Sequence, residues 1–143
     1  LTHKTESDRL RSVLASFVNS SNDAIIGKTL DGTILSWNKA AERYYGYLAE
    51  EVIGKSIDLI VPPELRNQLS IFLRRAGTGE TIENYETIRL RKDGSRLEVR
   101  VTLSPIKDED GRIIGISTIA RNLADRKKAE VSRIFRQQVP HGS

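Results

Sequence analysis

The sequence predicts an α+β domain: a five-stranded antiparallel sheet with short helices on one face and a further helix at each end. Three observations carry this. Apolar residues recur at helical spacing near the N-terminus and again from Leu65 to Ala76. After Gly79 the apolar period switches to two. Asp-Gly pairs separate the apolar runs at Asp31-Gly32, Asp93-Gly94 and Asp110-Gly111. Each period gathers apolar side chains on one face, and an Asp-Gly pair supplies the positive φ that tight hairpin turns require.

The elements follow in chain order. Leu10, Val13, Leu14, Phe17 and Val18 define an amphipathic helix over about Thr5 to Ser20, stopped by the polar run Asn19-Ser20-Ser21-Asn22. Asp23 to Thr29 and Thr33 to Asn38 are two short strands around Asp31-Gly32. Asn38 caps a short helix carrying Ala40, Ala41 and Tyr44, and Gly46 ends it. Ala49 to Val52 is a second short helix, stopping at Gly54. Pro62-Pro63 opens a longer helix that buries Leu65, Leu69, Phe72, Leu73 and Ala76 and closes at Gly77-Thr78-Gly79.

Tyr85 to Arg91 reads as a strand. Leu97, Val99, Val101 and Leu103 alternate with Arg96, Glu98, Arg100 and Thr102, giving a strand with one buried and one wet face. Arg112 to Ala120, rich in isoleucine, reads as a central strand. These three form a meander, which the two early strands join because a lone hairpin is marginal in water. From Ala124 a second terminal helix begins, capped by Asn122, with Ala129, Val131, Ile134 and Phe135 on its apolar side. The expected division is an N-terminal amphipathic helix over 1–22, a core over 23–122, and a linker helix with tail over 123–143.

Composition narrows the chemistry. A chain of 143 residues holds one domain. Its 23 basic and 19 acidic residues are interspersed, so the net charge of +4 describes a solvated surface and no nucleic-acid patch is expected. The longest apolar stretches fall far short of the ~20 residues that span a bilayer, so no membrane contact is expected, and the reading is cytoplasmic. The chain lacks cysteine, which removes disulfides and thiolate chemistry, and lacks methionine, which suits a piece of a longer protein. Its histidines are His3 and His141, both near the termini, so neither a histidine base nor a histidine-held metal is expected. Gly77-x-Gly79 lacks the lysine of a phosphate loop and closes a helix instead of opening one. No catalytic residue is expected. Trp37, Tyr44, Tyr45 and Tyr47 form an aromatic cluster with two readings: core packing, or the lining of a pocket for a flat organic ligand.

The residues also resemble a family. The Asp-Gly hairpin, Trp37-Asn38-x-Ala40-Ala41, Gly46-Tyr47, Glu51 and Gly54 resemble the first half of a PAS domain. Arg91-Lys92-Asp93-Gly94-Ser95, Pro105, Gly111, Gly115 and the exit from Arg121 to Glu130 are similar to the second half. The resemblance spans about Ser20 to Glu130 and implies a sheet cupping a pocket roofed by short helices. It implies a sensory and dimerisation module of a bacterial signalling protein that passes a ligand, redox or partner signal to an output domain in the same parent chain, most often a two-component histidine kinase. The alternative it leaves is a ligand-free dimerisation module of a diguanylate cyclase, phosphodiesterase or transcription regulator.

The resemblance makes Trp37, Asn38, Tyr44, Tyr45 and Leu69 the pocket candidates. It makes Leu10, Val13, Leu14, Phe17 and Val18 the seam of a homodimer through the terminal helices. Family members that form a cysteinyl-flavin adduct need a cysteine, and haem members use a histidine on the long helix; Glu64 to Ala76 has neither. A non-covalent small ligand, flavin included, or no ligand at all remains. Where the family often ends its last strand with Asp-Ile-Thr or Asp-Leu-Thr, this chain has Asn122-Leu123-Ala124. The loss of the charge and the hydroxyl predicts a differently wired junction, unless Asn122 itself caps the exit helix.

Overall fold

Leu97, Val99, Val101 and Leu103 are all buried, and the strand that carries them, β4 (Arg96–Lys107), forms the spine of the domain. The structure is a computed structural model and describes residues 6–124. Around β4 lie β3 (Ile82–Leu90) and β5 (Ile113–Asn122), each antiparallel to it. The early hairpin of β1 (Ala24–Lys28) and β2 (Ile34–Trp37) joins through β1 against β5, giving the order β2-β1-β5-β4-β3. The five-stranded antiparallel sheet expected from periodicity is present, with β5 central.

The helices α2 (Lys39–Tyr45), α3 (Ala49–Val52) and α4 (Arg66–Gly77) lie between β2 and β3 in the chain. They cover the concave face, with Ala40, Ala41, Tyr45, Val52, Leu69, Phe72 and Ala76 buried against the inward residues of the sheet. The Asn38 cap and the Gly46 stop are both present, Gly46 at φ 81°.

Three boundaries differ from the sequence reading. Pro63 opens a 3-10 turn over Pro63–Leu65, and the α-helix starts only at Arg66. Ile57–Ile60 forms another 3-10 turn, which buries Ile57 and Ile60. Third, β3 starts at Ile82 instead of Tyr85. Asn84 takes a left-handed φ of 53° and shifts the register against β4, which breaks the period-two pattern there.

Gly115 marks a close approach of β5 to β1. A Cβ there would sit 2.8 Å from the carbonyl oxygen of Lys28, so any side chain would push the two strands apart.

At the N-terminus α1 (Glu6–Ser20) carries Leu10, Val13, Leu14, Phe17 and Val18 as exposed residues, Phe17 at 70%. Leu123 and Ala124 take helical backbone after β5. The remainder of the expected exit helix, with Ala129, Val131, Ile134 and Phe135, lies outside the described residues, as do His3 and His141. No helix among the described residues is long and apolar enough to cross a membrane.

Candidate functional site

Two polar sites interrupt an otherwise apolar interior. The first is at the junction where α1 enters the domain and β5 leaves it. Asn38 sits at the end of β2, where its side chain turns back under the start of β1. Its Oδ1 accepts from the backbone N–H of Ala41 at 3.0 Å and of Ile25 at 2.9 Å. Its Nδ2 donates to the carbonyls of Asp23 and Val18, both at 3.0 Å. A carboxamide has two donors and two acceptor lone pairs, so this residue is fully used. One side chain thereby caps α2, fixes the start of β1 and holds the last turn of α1.

Tyr44 stands beside it on α2. Its hydroxyl donates to the Asn22 carbonyl at 2.8 Å and accepts the backbone N–H of Asn122 at 3.2 Å. A single phenol oxygen therefore joins the segment leaving α1 to the last residue of β5. Arg121 adds an ion pair to Asp23 at 3.5 Å. Asn122 Oδ1 accepts from the Ala124 N–H at 2.9 Å, so Asn122 does cap the turn that follows. The departure from Asp-Ile-Thr is met by this neutral cap and by the tyrosine. The junction encloses an open cleft of about 640 Å³ lined by Asn22, Asp23, Arg43, Tyr44, Arg91, Arg121 and Asn122.

The second site is the concave face of the sheet. Trp37 and Tyr45 pack with ring centroids 5.4 Å apart, Tyr44 and Tyr45 at 6.0 Å, and Leu69 belongs to the same buried cluster. The Trp37 indole N–H donates to the Tyr47 carbonyl at 3.0 Å. The structure thus brings Trp37, Asn38, Tyr44 and Tyr45 together. Asn38 and Tyr44 work at the junction, while Trp37, Tyr45 and Leu69 fill the core.

Sequence reasoning missed three further residues of this face. Lys28 is 2% exposed, Arg89 5% and Thr118 6%, all on inward positions of the sheet. Arg89 donates to the Ile88 carbonyl at 3.0 Å and more weakly to Thr87 Oγ1 at 3.4 Å. The hydroxyl of Thr118 has no hydrogen-bond partner among the described residues. Burial, with the nearby Arg89 charge as the lesser cause, lowers the Lys28 ammonium from its ordinary 10.5 to about 7. Burial also lowers Arg89, against the favourable influence of Tyr45 and Tyr85. The Tyr45 phenol is raised, chiefly by burial and against the pull of Arg89. The missed signal was positional: Lys28 continues the inward series Ala24, Ile26 on β1.

Comparison with known proteins places this arrangement. The family model for the PAS fold matches residues 13–123. The chain belongs to the PAS family. Its PAS core is 36% identical over 109 residues to two-component system protein A of Emericella nidulans, covering 72% of this chain and 15% of that protein. It is 30% identical over 112 residues to the oxygen sensor protein DosP of Escherichia coli, covering 76% of this chain and 14% of that protein. The chain therefore corresponds to about a seventh of each relative. Among solved structures, a PAS domain of a Colwellia psychrerythraea protein superposes with a TM-score of 0.70 at 26% identity, covering 79% of this chain and 96% of that one.

Proposed function

We propose that this PAS module is a non-catalytic relay. It senses a non-covalent ligand or a partner's state and passes it through β5 to a C-terminal output domain of a two-component histidine kinase. The observation that carries the reading is Tyr44, whose hydroxyl touches both the incoming segment at Asn22 and the outgoing strand at Asn122. A displacement of either end changes the geometry at the other through one shared atom. A relative named as a two-component system protein supports the kinase output. A signal acts here only by favouring one arrangement of the junction over another.

Tyr44→Phe tests this at low structural cost. It removes two hydrogen bonds and should destabilise the domain by about 1–2 kcal/mol. Amide exchange at Asn122 should then accelerate, because its N–H loses its acceptor. Unchanged protection at Asn122 would count against the relay.

The partner that fits α1 is a second copy. Leu10, Val13, Leu14, Phe17 and Val18 recur at the i, i+3, i+4, i+7, i+8 spacing of a helix-pairing seam, and Leu10, Leu14 and Phe17 are each more than half exposed. Replacing Leu14 and Phe17 by glutamate should convert a dimer to a monomer in sedimentation velocity. A dimer that survives the double substitution removes this interface from the account.

A non-covalent flavin is the weaker fit to the concave face. A neutral ring system would leave the buried Lys28 and Arg89 without a counter-charge.

A further inference from the structure

Three arginines converge on the junction cleft from separate elements. Arg43 lies in the last turn of α2, Arg91 directly follows β3, and Arg121 stands near the end of β5. All three line the open cleft of about 640 Å³. The Lys92 N–H donates to the Tyr45 carbonyl at 2.8 Å, which holds the turn carrying Arg91 against the end of α2. The acidic side chain on the cleft wall is Asp23, and it pairs with Arg121. Asp93, on the Arg91 turn, is engaged by the Ser95 N–H and hydroxyl. Among the described residues, no ion pair engages Arg43 or Arg91. Asn122, also on the wall, is neutral where the family often places an aspartate. The cleft therefore sets three fixed positive charges against one carboxylate.

We infer that this cleft is a binding site for the phosphate group of a small molecule, separate from the concave face. A guanidinium presents paired N–H donors that match phosphate oxygens. A phosphate monoester carries between about 1.5 and 2 negative charges near neutral pH. Arg43 and Arg91 supply the matching charge, and Arg121 adds donors beside its pair with Asp23. The cleft is far larger than a phosphate ion and falls within the usual size of small-molecule sites, which leaves room for an organic body beside Tyr44. A phosphate held there ties α2, the turn after β3 and the end of β5 together around the Tyr44 hydroxyl. The site goes beyond the relay and does not depend on it.

The test is calorimetric titration of the chain near neutral pH and at low salt with inorganic phosphate, pyrophosphate, AMP and ribose 5-phosphate, alongside adenosine and succinate. At least one phosphate compound should bind with Kd below about 1 mM, and adenosine should not bind. Affinity for that compound should fall about tenfold in Arg43→Gln and in Arg91→Gln. It should fall also in Asn122→Asp, which sets a carboxylate in the cleft while keeping the acceptor for the Ala124 N–H. Arg112→Gln, at an exposed arginine off the cleft, should leave binding unchanged. Tighter binding of AMP or ribose 5-phosphate than of inorganic phosphate identifies an organic phosphate as the ligand, and the reverse identifies the free ion. The proposal is overturned if no phosphate compound binds, if succinate binds as tightly as the best of them, or if Arg112→Gln weakens binding as much as Arg43→Gln does. The relay is read separately from exchange at Asn122, so either can fail without the other.

Discussion

Asn38→Ala should be among the most damaging single substitutions in the domain, lowering stability by about 3–4 kcal/mol in denaturant unfolding. The side chain makes four hydrogen bonds to backbone groups of four separate residues. An alanine leaves the buried Ala41 N–H and the Ile25 N–H without acceptors, and frees the Asp23 and Val18 carbonyls. Asn38→Ser keeps an oxygen at the cap position and should recover part of the loss. A cost below about 1 kcal/mol for the alanine variant would mean that water replaces these bonds readily, and that the junction is not a fixed node.

Lys28→Met should do the opposite and stabilise the domain at neutral pH and below. The sign follows from proton binding. The folded state holds the ammonium at about 7 and the unfolded chain at 10.5, so between these values the unfolded chain binds more protons. Wild-type stability therefore rises with pH across this window, at up to about 1.4 kcal/mol per pH unit. Below about pH 7 lysine is charged in both states, and the full burial cost, on the order of 4–5 kcal/mol, is present. Methionine removes the charge with little change in volume. Above about pH 10 the unfolded chain's tyrosines ionise while burial keeps Tyr45 protonated, so the curve turns down again. Urea unfolding between about pH 6 and 9 should show a rising wild-type curve and a flatter, higher one for the variant. Parallel curves would show that Lys28 is solvated or paired in solution.

These two residues also mark how far the sequence could be read. The strands and the long helix of the core were legible from apolar periodicity, because that pattern records which face is buried; the two short helices were legible from the Asn38 cap and the Gly46 and Gly54 stops, and the 3-10 turn Ile57–Ile60 was not. Leu97 to Leu103 is the clearest case. The start of β3 was not legible, since the left-handed Asn84 offsets the alternation locally. Asn38 was legible as a helix cap from its place before Ala40 and Ala41. Its reach to Val18 and Asp23 was not, because those bonds depend on how α1 folds back onto the sheet. Lys28 and Arg89 were read as surface charge by residue type, although their strand positions face inward. Tyr44 was recognised as an aromatic in a cluster, but its part in joining Asn22 to Asn122, which lies 78 residues beyond Tyr44 in the chain, is a property of the tertiary fold alone.

The central claim is that the incoming helix and the outgoing strand communicate through Tyr44. Amide hydrogen exchange at Asn122 and Ala124 tests it most directly, measured in wild type, in the Leu14→Glu/Phe17→Glu variant, and in the same pair of proteins carrying Tyr44→Phe. The account predicts that disturbing α1 accelerates exchange at these amides when Tyr44 is present and adds little once it is phenylalanine. Identical protection at Asn122 with α1 intact or disturbed, in the presence of Tyr44, would contradict it.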